Sequence, residues 1–132
     1  MELENNNSKS VQNRLERLRK EVKRSIDAYG WSVLLHLARD RYAWCSEEEL
    51  INELKRRHPH LTESKIDYVL LTLNSTSLGA RVAEKISRVL SKPVHAEKLV
   101  EKRVMGDDEF YRITKLGFFC VENRLWEDEK QG

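Results

Sequence analysis

The sequence predicts a mainly α domain carrying one small β-hairpin, an α+β class, with helical extensions at both ends. Apolar residues recur at spacings of three and four along most of the chain, the period of an amphipathic helix. Two strand-like runs, Lys98-Leu-Val-Glu-Lys-Arg-Val-Met105 and Phe110-Tyr-Arg-Ile113, flank Gly106-Asp-Asp108, which supplies turn chemistry. Caps and prolines punctuate the rest into short helices.

Residues 1–9 are polar and Asn-rich and read as a disordered N-terminus. From Ser10, Val11, Leu15, Leu18, Val22 and Ile26 form a helical stripe. The opposite face is basic, with Arg14, Arg17, Arg19, Lys20, Lys23 and Arg24 against Glu16 and Glu21. Gly30 interrupts that helix, and Trp31 to Ala38 resumes it as an apolar core helix. Arg39 to Cys45 is a connection. Ser46 caps the next helix, with Glu47, Glu48 and Glu49 at the positive end of its dipole and Lys55, Arg56 and Arg57 at the negative end. Pro59 stops it. Thr62 opens a helix through Ile66, Val69, Leu70 and Leu73, and Asn74 to Ser77 is a loop. Leu78, Val82, Ile86, Val89 and Leu90 make a further helix, ended by Pro93. The hairpin follows, stopping at Thr114, and a last helix carries Leu116, Phe119, Cys120, Asn123 and Trp126 along one side. Residues 127–132 form an acidic tail, so one domain is expected over 10–126.

At 132 residues the chain suits a single core. Charged residues make up 35%, above the roughly 25% of an average domain. Net charge is only +2, so attraction to nucleic acid has to come from local patches. No apolar run approaches the roughly 18 residues of a membrane span, and the N-terminus lacks the basic and apolar parts of a secretory signal. A cytoplasmic, soluble protein with no membrane association is the expectation. Cys45 and Cys120 share no C-x-x-C spacing; they read as small buried hydrophobes, with a disulfide as the alternative.

Taken in order, Trp31–Arg41, Ser46–Arg57, Leu61–Asn74 and the hairpin resemble the core of winged helix-turn-helix transcription regulators. Ser46-Glu-Glu-Glu-Leu-Ile-Asn-Glu-Leu-Lys-Arg-Arg-His-Pro-His-Leu-Thr62 is similar to the DNA-binding domain of the ferric-uptake-regulator family. The run Tyr111-Arg-Ile-Thr-Lys-Leu-Gly117 resembles the wing exit of many such regulators. Two departures accompany the likeness: an extra helix over Ser77 to Val94, and no histidine-rich metal-binding half, so metal-dependent control is not implied.

The resemblance implies sequence-specific binding of double-stranded DNA by a homodimeric regulator, nucleoid-associated in the cell. Its third helix would enter the major groove and present Thr62, Ser64, Lys65 and Tyr68 to base edges. That helix sets one lysine, Lys65, against Glu63 and Asp67 and has no arginine for guanine. The extra helix offers Arg81, Lys85 and Arg88 as an alternative reader. Lys98, Lys102, Arg103, Arg112 and Lys115 on the wing, and Arg17, Lys20 and Arg24 on the first helix, would contact phosphates. Leu15, Leu18, Val22, Leu116, Phe119 and Trp126 lie outside a minimal winged core and are candidates for dimerisation; packing within one chain is the alternative. His58-Pro-His60 with Cys45 is a weak metal pattern, and His36 reads as a satisfied core histidine. Neither a phosphate loop nor a nucleophile elbow is present, so the chain reads as no enzyme, with no metal or cofactor. A protein-interaction adaptor in a replication or transcription assembly is the competing class.

Overall fold

The computed structural model describes the backbone of residues 2–127 and the side chains of residues 11–127. Among these residues the chain forms six helices and a three-stranded antiparallel sheet. In order they are α1 (Glu2–Lys23), α2 (Ala28–Ala38), β1 (Cys45–Ser46), α3 (Glu47–Arg57), α4 (Glu63–Leu73), α5 (Thr76–Leu90), β2 (Val100–Met105), β3 (Asp108–Ile113) and α6 (Lys115–Glu122). A mainly helical α+β class is what the apolar spacing predicts.

Helices α2 to α6 each begin at an oxygen-bearing cap. Ser46 accepts from the Glu49 amide and Thr62 from the Lys65 amide, as the sequence indicates. Ser75 does the same for α5, accepting from the amide of Leu78. Consequently α5 starts at Thr76, and the predicted loop Asn74–Ser77 contracts to its first two residues. Ser91 closes α5 in the left-handed conformation two residues before Pro93.

Three boundaries depart from expectation. The helix break falls at residues 24–27, not at Gly30, because Asp27 caps α2 by accepting from the Gly30 amide at 2.7 Å. Helical backbone runs from Glu2, ahead of the predicted start and through residues read as disordered; extending an existing helix adds a bond for each residue fixed. At the other end α6 stops at Glu122, so Trp126 lies beyond it, and residues 128–132 of the predicted acidic tail lie outside the described residues.

The sheet is also larger than a hairpin. β1 pairs with β3, Cys45 opposite Tyr111 and Ser46 opposite Phe110, giving the order β1-β3-β2. Met105 faces Asp108 across a two-residue turn, and Gly106 takes φ +65° there, the positive value a type II′ turn asks of its first central residue.

One core joins all of this. Leu18 and Val22 of α1, Val33, Leu34 and Leu37 of α2, Leu50 and Leu54 of α3, Ile66 and Leu70 of α4, and Val82 and Ile86 of α5 are buried together. α1 packs on α5, and α6 packs on α2. Leu18, Val22 and Leu116, read as dimerisation residues, are therefore buried inside one chain at 1%, 0% and 4% exposure, and offer no surface to a second copy. Leu15, Phe119 and Trp126 remain half-buried. Val11, the first residue of the stripe, is 52% exposed. Both cysteines are free thiols, Cys120 in the core and Cys45 half-buried on β1.

The segment 97–99 is where hairpin and helices lock together. The Thr114 amide donates to Leu99 O, and its hydroxyl, 4% exposed as a residue, reaches Lys98 O at 2.6 Å and Leu99 O at 3.0 Å while accepting from the Gly117 amide. The Glu97 carboxylate accepts from the Leu116 amide at 2.8 Å. Thr114→Val should cost about 2 kcal/mol, since it removes the α6 cap and takes the hydroxyl donor from the Lys98 carbonyl. Chemical denaturation measures it; a change under about 0.5 kcal/mol would mean water replaces the hydroxyl.

Candidate nucleic-acid interface

α4 is held by its apolar face, which leaves Thr62, Ser64, Tyr68 and Leu71 exposed and Lys65 and Thr72 half-covered. Tyr68 is 59% and Leu71 70% exposed, a large amount for side chains of that size. Lys65 Nζ stands 5.0 Å from the Tyr68 ring centre and 3.8 Å from Asp27 Oδ2. The turn after α1 brings Arg24 and Ser25 into the same cleft as Tyr68 and Thr72. Thus the basic end of α1 adjoins one edge of α4, although they are far apart in sequence. Arg17 and Lys20 are exposed along α1 and Arg24 in the turn after it, whereas Arg19 is 7% exposed and its Nε donates to Arg124 O at 3.2 Å. Arg19 belongs to the packing between the two ends of the chain, a correction to the basic-face reading.

The stripe on α5 is only partly available. Arg81 is exposed and Arg88 lies 3.7 Å from Glu84. Lys85 donates to Glu21 O at 3.1 Å and to Ser25 Oγ at 2.6 Å, fastening α5 to the end of α1. As the middle member of the proposed alternative reader, Lys85 is bound within the fold.

On the hairpin two of the three cations are paired. Lys102 meets Glu109 at 3.0 Å and Arg112 meets Glu101 at 3.3 Å. Trp44 stands beneath Arg112 and Arg103, its ring centre 4.4 Å from the Arg112 guanidinium and 5.8 Å from that of Arg103. Sequence reading passed over Trp44 as part of a connection; its place two residues before the capping Ser46 was the available signal. Lys98 is half-buried and Lys115 exposed at the foot of the sheet.

Between α4 and the hairpin the charge is negative. Glu47 at the start of α3 adjoins Glu109 of β3 and Asp67 of α4. Partial burial first, then hydrogen bonding and repulsion from Glu109 and Asp67, push the Glu47 carboxyl up to about 7 from its ordinary 4.5. Hydrogen bonds from Glu47 and Lys102 hold Glu109 below its usual range, and Tyr111 is raised by burial and the same carboxylates. The adjacent cleft is lined by Glu47, Glu48, Glu63, Asp107, Asp108 and Glu109, with Lys55 as its cation. A single cationic platform running from α4 across the hairpin is therefore not what the fold builds.

Histidine placement differs from the sequence reading too. His58 is half-covered, stacked edge-on to Tyr29 at 4.8 Å and 3.1 Å from Ser32 Oγ, while His60 is exposed. His36 bonds Glu49 through Nε2, but its Nδ1 is buried without a partner, so it is only half satisfied. Cys45, also on Glu49, has its thiol pushed up to about 12 by burial and then by that carboxylate.

No family model matches this chain, and neither a curated protein nor a solved structure matches it. No helix among the described residues is long and apolar enough to cross a membrane.

Proposed function

We propose that the chain is a winged helix-turn-helix protein that binds double-stranded DNA and acts in transcription control. Two features support the fold assignment. The helix pair α3–α4 follows directly on β1, and β1 pairs with the outer face of the hairpin in the order β1-β3-β2. On this reading α4 is the counterpart of the helix that enters the major groove in such proteins. The observation that carries the binding surface is the cleft shared by Arg24, Tyr68 and Thr72. Binding would use the α1 edge of α4, with Lys65 and Tyr68 toward the bases and Arg17, Lys20 and Arg24 on phosphates, and the acidic seam would lie at the margin of the contact.

Fluorescence anisotropy with random and genomic duplexes tests it. Neutralising about four phosphates makes affinity fall on the order of 100-fold between about 50 and 200 mM salt. Arg24→Glu should weaken binding to all sequences, and Tyr68→Ala should blunt discrimination between them. Binding that is insensitive to Arg24→Glu but lost on charge reversal at Arg81 and Arg88 would move the contact to α5.

A protein-interaction adaptor is the second reading, favoured by the Glu47–Asp67–Glu109 seam and by exposed Tyr68 and Leu71. Absence of duplex binding at low salt selects it. Pairing of two copies also stays a proposal. Its seat would be half-buried Phe119, in the apolar groove between α5 and α6 with Leu90 and Val94, and light scattering of the wild type and Phe119→Glu measures it.

A further inference from the structure

We propose that His36, Cys45 and Glu49 form a binding site for a zinc-class divalent transition metal. The three side chains come from α2, β1 and α3, and their ligand atoms all lie within 4.8 Å of one another. They already converge on one point. Glu49 Oε2 stands 2.8 Å from His36 Nε2 and 2.9 Å from Cys45 Sγ, so one carboxylate oxygen receives both an imidazole and a thiol proton. A cation placed among these atoms replaces those two protons, and the side chains adjust around it to bond lengths of about 2.0–2.3 Å.

The donor set selects the metal. A thiolate with an imidazole is too soft for Mg²⁺ or Ca²⁺ and suits Zn²⁺, Co²⁺ or Ni²⁺, with one carboxylate completing three protein ligands and water in the fourth position. The proton count balances. Cys45 gives up its thiol proton to solvent, Glu49 is already anionic, and neutral His36 moves its proton from Nε2 to Nδ1. The bound centre is thus neutral and one proton is released per metal. Glu53, one turn along α3, is occupied by Arg56 and Arg57 at 2.7 Å and is not drawn in. Because β1 is only two residues long, a metal here would tie it to both neighbouring helices.

The test uses the full chain, stripped of metal and kept reduced with a phosphine, titrated with Co²⁺. One equivalent should bind with a sulfur-to-cobalt charge-transfer band in the near ultraviolet. Cys45→Ser should abolish the band and Cys120→Ser should leave it unchanged. Glu49→Gln and His36→Gln should each weaken binding at least tenfold, with far-ultraviolet dichroism confirming the fold of every variant. Zn²⁺ at 100-fold its Kd should raise Tm by roughly 10 °C in the wild type. A wild-type chain giving no charge-transfer band, or a band that survives Cys45→Ser, overturns the site. So does an equal Zn²⁺-induced Tm rise in wild type and Cys45→Ser, which would place the metal on His58, His60 or His95.

Discussion

Gly79→Ala should destabilise the fold by roughly 3 kcal/mol or more, lowering Tm on the order of 10 °C. A Cβ at Gly79 would sit well inside the contact distance of the Glu97 carbonyl oxygen and 2.7 Å from its carbon. Both are backbone atoms, and the next residue, Lys98, is 3.1 Å away, so no flexible side chain can give. Gly117 approaches the Leu99 carbonyl from α6 in the same manner. Two helices thus clamp residues 97–99, the lead into β2, and neither glycine takes a positive φ. Gly106→Ala is the control: nothing lies within 4 Å of its added Cβ, and the strain of φ +65° costs only about 1–2 kcal/mol. Thermal and urea unfolding compare the two. If Gly79→Ala proved milder than Gly106→Ala, α5 and the hairpin would not be held by close backbone contact.

These glycines show where sequence reading stopped. Gly79 and Gly117 look like ordinary weak points in helices, because a close approach depends on a partner distant in the chain. Caps are different: Ser46 and Thr62 act within three residues, and both were legible. The Asp27 cap is equally local but was overshadowed by Ile26, whose spacing after Val22 continues the α1 stripe; Ile26 is buried from a turn instead. β1 is two residues long, too short for alternation to register, and exists only through its partners Tyr111 and Phe110.

The candidate site was legible as a set of residue types and illegible as a surface. Helical spacing alone cannot tell that Arg19 turns inward or that Lys85 is spent on Glu21 and Ser25. Nor could it tell that Glu47, Asp67 and Glu109, from three elements, would gather where the winged-helix likeness calls for a basic groove. His36, Cys45 and Glu49 escaped for the same reason, since no regular ligand spacing links them.

Neutralising that seam has the second large effect. Glu47→Gln with Asp67→Asn should raise duplex affinity about tenfold if DNA lies against α4: each full carboxylate charge near a phosphate opposes binding by about 1 kcal/mol after screening, and Glu47, raised to about 7, carries only about half a charge at neutral pH. The same change alters stability with a definite sign. Folding raises the Glu47 carboxyl from 4.5 to about 7, so between those values the folded chain holds more proton than the unfolded one. This contribution makes stability fall as pH rises through that window. Glu47→Gln removes it, so the variant should match wild type near pH 4 and exceed it at pH 8. The gain is roughly 1 kcal/mol, because partial exposure screens most of the interaction. Denaturation at the two pH values and anisotropy at one salt concentration read the effects separately. A stability gain without an affinity gain would leave the seam repulsive within the protein yet turned away from DNA, confining the contact to the α1 edge of α4, where Arg24 and Tyr68 lie.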